Sequence, residues 1–90
     1  MRDDVGVDYD DATETMISRI RNARFRTTRF RSGYNEREVD TYLDEVISRL
    51  ELGQPPVPPT GFSLTRMVPG YVLDDVDALV DEITGFSPGS

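Results

Sequence analysis

The chain lacks three side chains that carry much of the chemistry of proteins: its 90 residues include no cysteine, no histidine and no lysine. Without cysteine there are no disulfides, no thiolate nucleophiles and no cysteine-type zinc sites. Without histidine the commonest general base and metal ligand is missing. We therefore predict that the protein is not an enzyme, with no catalytic residues, no metal site and no cofactor.

Long apolar runs are also lacking. No stretch approaches the ~20 residues that a membrane-spanning helix needs, and no signal-peptide core follows the first residues. We expect a cytoplasmic protein, with a peripheral position on the inner face of the cell membrane left open. A chain this short buries a modest core, and a partner subunit often supplies the missing stability, so we expect a homo-oligomer.

The net charge of −7 is distributed unevenly. Residues 1–14 carry six acids and one arginine, whereas residues 15–35 carry six arginines and no acid. Arginine suits bidentate contacts to phosphate or carboxylate. This basic segment predicts either an anionic binding surface or internal ion pairs with the acids of the chain.

The sequence repeats itself at a fixed offset of 37 residues, without a gap. The repeated unit is F-x-x-T-R-x(3)-G-Y-x(4)-V-D-x(3)-D-E, and it begins at Phe25 and again at Phe62. Internal repetition defines the unit from which a fold is built. It predicts a tandem repeat with a pseudo-twofold arrangement.

The repeat divides the chain into five segments. We expect an acidic tail at 1–10, a first repeat with a preceding helix at 11–52, a proline-rich linker at 53–61, a second repeat at 62–86 and a tail at 87–90.

Three helices are predicted from apolar periodicity and capping residues. The first begins near Asp11. The second covers about 36–52, with Asn35 as its N-cap and Glu38 completing a capping box. The third covers about 73–84 and has no side chain suited to cap it.

The segments before the second and third helices lack helical periodicity. Residues 25–32 and 62–68 are predicted to be extended, and they could pair as a small antiparallel ribbon. Gly33 is expected to turn the chain with a positive φ, and Pro69-Gly70 to form a type II turn. The predicted fold class is mainly α, with three helices and two short extended segments.

Apolar residues of the second and third helices recur at the spacing of a coiled-coil seam. The sequence predicts that these helices pack on each other or on another protomer, and that the seam mediates self-association. The seam residues are Val39, Leu43, Val46, Leu50, Val76, Val80 and Ile83.

Several of these elements together resemble the DivIVA domain of bacterial cell-division and polar-growth proteins. The resemblance covers residues 20 to about 84. In the first repeat it rests on Ile20-x-Asn22-x-x-Phe25, Gly33-Tyr34, Glu38-Val39-Asp40, Leu43 and Val46, and in the second on Phe62, Gly70-Tyr71, Val76-Asp77 and Ile83.

The resemblance implies a self-associating head that binds the inner membrane face or another division protein, such as a DivIVA-like one. In the family an aromatic residue beside a basic one contacts lipid, just before the Gly-Tyr pair. The corresponding residues here are Phe30 and Arg31, supported by Arg29 and Arg26. These four residues are the predicted membrane or partner contacts.

Two departures from the family change this expectation. The long C-terminal coiled coil that drives assembly in its better-known members is not among these residues, so the resemblance implies a head-only relative. In the second repeat Met67-Val68 replace the aromatic-basic pair, and Arg66 is the nearest cation.

Three functions follow in order of preference. The first is a scaffold or accessory protein of cell division or polar growth at the inner membrane face. The second is a soluble protein–protein adaptor whose arginines form internal salt bridges. The third is single-stranded nucleic-acid binding, since arginine interleaved with phenylalanine contacts phosphates and bases, but the acidic remainder of the chain disfavours nucleic acid.

Overall fold

The structure, a computed structural model, describes residues 11–86, so the predicted tails at 1–10 and 87–90 lie outside the described residues. Three helices and a four-stranded antiparallel sheet make the fold mixed α and β, which corrects the predicted mainly α class. The elements are α1 (Asp11–Arg21), β1 (Thr27–Thr28), β2 (Gly33–Tyr34), α2 (Glu36–Glu51), β3 (Leu64–Thr65), β4 (Gly70–Tyr71) and α3 (Leu73–Thr84).

The sheet exchanges strands between the two halves of the chain. Its order is β1-β4-β2-β3, and every neighbouring pair is antiparallel. Because β1 and β2 lie on either side of β4, residues 29–32 must cross β4 to connect them. Residues 66–69 cross β2 in the same way to connect β3 and β4. The predicted ribbon between the two extended segments is therefore wrong: β1, in the first segment, pairs with β4, and β3, in the second segment, pairs with β2.

Gly33 and Gly70 lie in the two central strands and do not form the predicted turns. Neither has a positive φ, so the expected positive φ at Gly33 and type II turn at Gly70 are wrong. Glycine is required here by close packing. A Cβ on Gly33 would lie 2.9 Å from the carbonyl oxygen of Tyr71, and a Cβ on Gly70 would lie 2.9 Å from that of Tyr34.

Most predictions for the helices are confirmed. The side chain of Asn35 accepts a hydrogen bond from the backbone N of Glu38 at 3.0 Å, and α3 begins without a side-chain cap. The carboxylate of Glu38 behaves differently from the predicted capping box. It accepts hydrogen bonds from the backbone N of Ser63 at 2.6 Å and from its Oγ at 3.0 Å. Glu38 thus ties α2 to the second half of the chain.

A single apolar core joins the three helices, and α1 packs against α2. Six of the seven predicted seam residues are buried in it, and Val80 is partly buried. Self-association through the seam stays a prediction, and in this fold it requires the core to open. The buried apolar residues are Ile17, Ile20, Val39, Tyr42, Leu43, Val46, Leu50, Val76, Leu79 and Ile83.

The contact between the central strands predicts that Gly33→Ala destabilises the fold. Its Cβ would press on backbone atoms of β4 that cannot rotate away, and overpacking of this kind costs about 1–3 kcal/mol. Gly85→Ala is the matched control, because its Cβ would meet its nearest neighbour at an ordinary 3.4 Å. Urea unfolding of both variants tests this. Equal stability of Gly33→Ala and the unaltered protein would contradict the close approach of β2 and β4.

The strand exchange predicts that the two halves stay together when the linker is cut. A protease site inserted between Thr60 and Gly61 is suitable, because a Cβ on Gly61 would meet no atom within 4 Å. After cleavage the fragments should co-elute on gel filtration and separate only in denaturant, and each fragment alone should lack the sheet. Separation under native conditions would contradict the exchange.

Candidate binding surface

The two segments that cross the central strands carry the most exposed apolar side chains. We call residues 29–32 the first loop, residues 66–69 the second loop, and both together the loop surface. Phe30 in the first loop is 93% exposed, and Met67 in the second is 83% exposed. Single exposed apolar residues are common on soluble proteins, but exposed apolar residues gathered in one region are typical of interaction sites.

The loop surface is basic and contains no carboxylate. Every acidic side chain of the described residues lies on one of the three helices, whereas Arg29, Arg31 and Arg66 lie on the loops. Within residues 11–86, neither Arg29 nor Arg31 forms an ion pair. Their charges are therefore available to an anionic ligand.

Arg26 differs from the other predicted contact residues. Its backbone N donates to the Oδ2 of Asp75 at 2.9 Å, and its guanidinium donates to both carboxylate oxygens of Asp75 at 2.8 and 3.1 Å. These hydrogen bonds lower the pKa of the Asp75 carboxyl to about 2. Arg26 thus attaches the start of β1 to α3, and its charge is paired with a carboxylate instead of being free for a ligand.

Two further arginines of the basic segment form internal ion pairs. Arg19 pairs with Glu82 through two hydrogen bonds, one of them at 2.7 Å, and Arg21 pairs with Glu51 at 2.8 Å. These contacts agree with the alternative prediction of internal salt bridges for part of the cluster. All of these side chains are substantially exposed, so each pair contributes little to stability.

A side-chain hydrogen bond joins the two loops. The Nε of Arg66 donates to the Oγ of Ser32 at 3.3 Å, and next to it the hydroxyl of Thr65 donates to the carbonyl oxygen of Gly33 at 3.3 Å.

Sequence reasoning placed Phe30 in a binding site and left Met67 out, because the second repeat lacks an aromatic-basic pair. The available signal was the 37-residue offset, which aligns Met67 with Phe30.

Two tyrosine–aspartate hydrogen bonds hold the strands that the loops connect. Tyr34 donates its hydroxyl proton to Asp77 at 2.7 Å, and Tyr71 donates to Asp40 at 2.9 Å. Each bond joins a central strand to a helix in the other half of the chain: β2 to α3 in the first case, and β4 to α2 in the second. Sequence reasoning missed this pairing, although both members recur at the offset of the repeat.

Comparison of the chain with protein-family models, with curated proteins and with solved structures finds no match. None of the helices within residues 11–86 combines the length and apolar character needed to cross a bilayer.

The tyrosine–aspartate bonds predict a loss of stability in alkali. Burial and the hydrogen bond to Asp40 raise the pKa of Tyr71 to about 12, whereas an unfolded tyrosine titrates near 10. The folded state holds this proton more tightly, so the stabilisation is complete below pH ~10 and is lost as the pH rises towards ~12. The hydrogen bond to Asp77 raises the pKa of Tyr34 as well.

The measurement is urea unfolding of the protein and of Tyr71→Phe between neutral pH and pH ~12. This range includes the pKa of an unfolded tyrosine, near 10, and that of folded Tyr71, about 12. Tyr71→Phe should lose less stability over the alkaline interval than the unaltered protein. Parallel pH profiles for the two proteins would show that the Tyr71 proton is not linked to folding.

Proposed function

We propose that the two repeats form one pseudo-twofold unit in which each repeat completes the other. The support comes from contacts that recur when the partner in the first half is shifted forward by 37 residues and the partner in the second half is shifted back by 37. One set is the pair of tyrosine–aspartate bonds already described. Another is formed by Arg26 with Asp75 and Ser63 with Glu38, where in each case a backbone N donates to a helix carboxylate of the other half.

The same offset relates two further kinds of contact. The ring centroids of Phe25 and Tyr71 lie 4.9 Å apart, and those of Phe62 and Tyr34 lie 5.3 Å apart. The backbone N of Val72 donates to the carbonyl oxygen of Arg26, and the N of Asn35 donates to that of Ser63. Such a unit has one loop from each repeat.

The unit serves as a non-enzymatic interaction module that docks on an anionic membrane through the loop surface. The observation that carries this proposal is the first loop: Phe30 is almost fully exposed between Arg29 and Arg31, two arginines without an acidic partner among the described residues. With the resemblance to the DivIVA domain, the proposed role is a cell-division or polar-growth scaffold or accessory protein at the inner face of the cell membrane.

The energies of these groups predict weak, reversible docking by one molecule. Burying a phenylalanine side chain contributes about 1.5–3 kcal/mol, and each arginine near an anionic surface about 1 kcal/mol. With Arg29 and Arg31, a total of about 3.5–5 kcal/mol corresponds to dissociation constants near millimolar. Stable attachment would require several heads acting together, which agrees with the expected homo-oligomer or with assembly on a DivIVA-like partner.

A soluble adaptor is the second candidate function. It is favoured by the internal ion pairs of Arg19, Arg21 and Arg26, which account for half of the basic segment without an external anion. In that case Phe30 would contact an apolar site on a partner protein. Single-stranded nucleic acid is a weaker candidate, because all described carboxylates cover the helices and leave only the loops for a phosphate backbone.

Vesicle flotation tests the docking proposal. The protein should float with vesicles that contain phosphatidylglycerol, more at low salt than at physiological salt, and not with pure phosphatidylcholine. Phe30→Ser should abolish flotation without lowering the melting temperature, because the side chain contacts little of the fold. Leu52→Ser is the matched control, since Leu52 is exposed after the end of α2, outside the loop surface.

Absence of flotation under every condition would refute direct docking on lipid and leave the adaptor. Arg29→Ala and Arg31→Ala should weaken flotation without lowering the melting temperature, because neither arginine forms an ion pair within residues 11–86. A lower melting temperature would show that these arginines pair internally and would favour the adaptor. Binding of an oligonucleotide with a steep salt dependence would support the third candidate.

A further inference from the structure

We infer that the second loop is a second membrane-inserting element, with Met67 as its apolar tip. This inference rests on the docking function proposed above and assigns to Met67 a role although the second repeat lacks the aromatic-basic pair. It makes the loop surface a two-point contact with unequal tips, one aromatic and one a flexible thioether.

The exposure of apolar side chains is concentrated around both loops. Four of the six large apolar side chains that the described residues expose belong to the loops or to β3, which leads into the second loop. They are Phe30, Leu64, Met67 and Val68. Three of these four come from the second half of the chain, so the first loop alone does not account for the exposed apolar side chains.

The backbone at Met67 gives an independent reason. Its φ is +67°, and it is the one residue other than glycine with a positive φ within residues 11–86. Glycine and asparagine favour this left-handed region, and an unbranched apolar side chain gains nothing from it. Strained backbone at an exposed tip is typical of sites that contact a ligand. With its side chain outside the core, Met67 contributes nothing to packing that would explain methionine there.

The position of the loops allows both tips to meet one surface. The bond between Arg66 and Ser32 ties the loops together, and the chain spacing around it keeps the Cα atoms of Phe30 and Met67 within on the order of 20 Å of each other. Arg66 adds a third cation beside Arg29 and Arg31.

An anionic bilayer is the occupant that this chemistry fits. Residues 62–73 contain no acid, so an anionic surface meets no local repulsion at the second loop. Methionine is flexible and polarisable and fills irregular apolar environments, such as the boundary between headgroups and acyl chains. Exposed Val68 extends the same apolar contact.

The test substitutes Met67 and measures membrane affinity and thermal stability together. Met67→Gly should lower affinity for phosphatidylglycerol-containing vesicles by on the order of tenfold. The same variant should keep or raise the melting temperature, because glycine adopts the positive φ without strain. Met67→Leu preserves the apolar side chain and should retain the affinity, and Leu52→Ser again serves as the control for exposed apolar residues.

The outcomes separate this inference from the function on which it rests. If the unaltered protein binds, Phe30→Ser does not, and Met67→Gly binds normally, the second loop does not insert and the inference is overturned while docking stands. If the unaltered protein does not bind anionic vesicles, the docking function fails and this inference fails with it. A fall in the melting temperature of Met67→Gly would also overturn it, by showing that Met67 serves the fold.

Discussion

The pairing of β2 with β4 is the constraint on which the rest of the structure depends. These strands meet at Tyr34 and Tyr71, which occupy the same position in their repeats, and the close approach of their backbones leaves no room for a Cβ at Gly33 or Gly70. Once they are neighbours, each connecting segment has to cross the central strand of the other half. The exposure of both loops is therefore a consequence of the strand order.

Strands of two residues cannot support a sheet alone, since even longer isolated hairpins are marginal in water. The supporting contacts come from the helices. Asp40 and Asp77 accept the tyrosine hydroxyl protons, and Glu38 and Asp75 accept backbone N–H groups of the opposite half. Because these carboxylates lie on the helices that carry the core residues, burial of the seam and formation of the sheet stabilise each other, and the halves should fold together.

How much of this was predictable depends on the distance between the interacting residues. The bounds of α2 and α3 and the Asn35 cap follow from periodicity and from a contact three residues away, so the sequence predicts them. The strand exchange does not follow, because Gly-Tyr before a helix is equally typical of a turn. Phe30 is predicted as an exposed tip and is exposed, whereas the ion pair of Arg26 is not predicted, because its partner Asp75 lies 49 residues away.

The arginines that form internal ion pairs and the arginines of the first loop lie on opposite sides of β1 along the chain. Arg19, Arg21 and Arg26 precede β1 and lie within reach of helix carboxylates, whereas Arg29 and Arg31 follow β1, where the loop leaves the helices behind. A chain with a net charge of −7 is repelled by an anionic surface in most orientations. At physiological salt, however, charges interact only over about 8 Å, so a molecule that approaches with its loops first presents cations while its acids are screened. Under the proposed docking, the separation of the loop cations from the helix acids would select the orientation in which the exposed apolar tips meet the membrane.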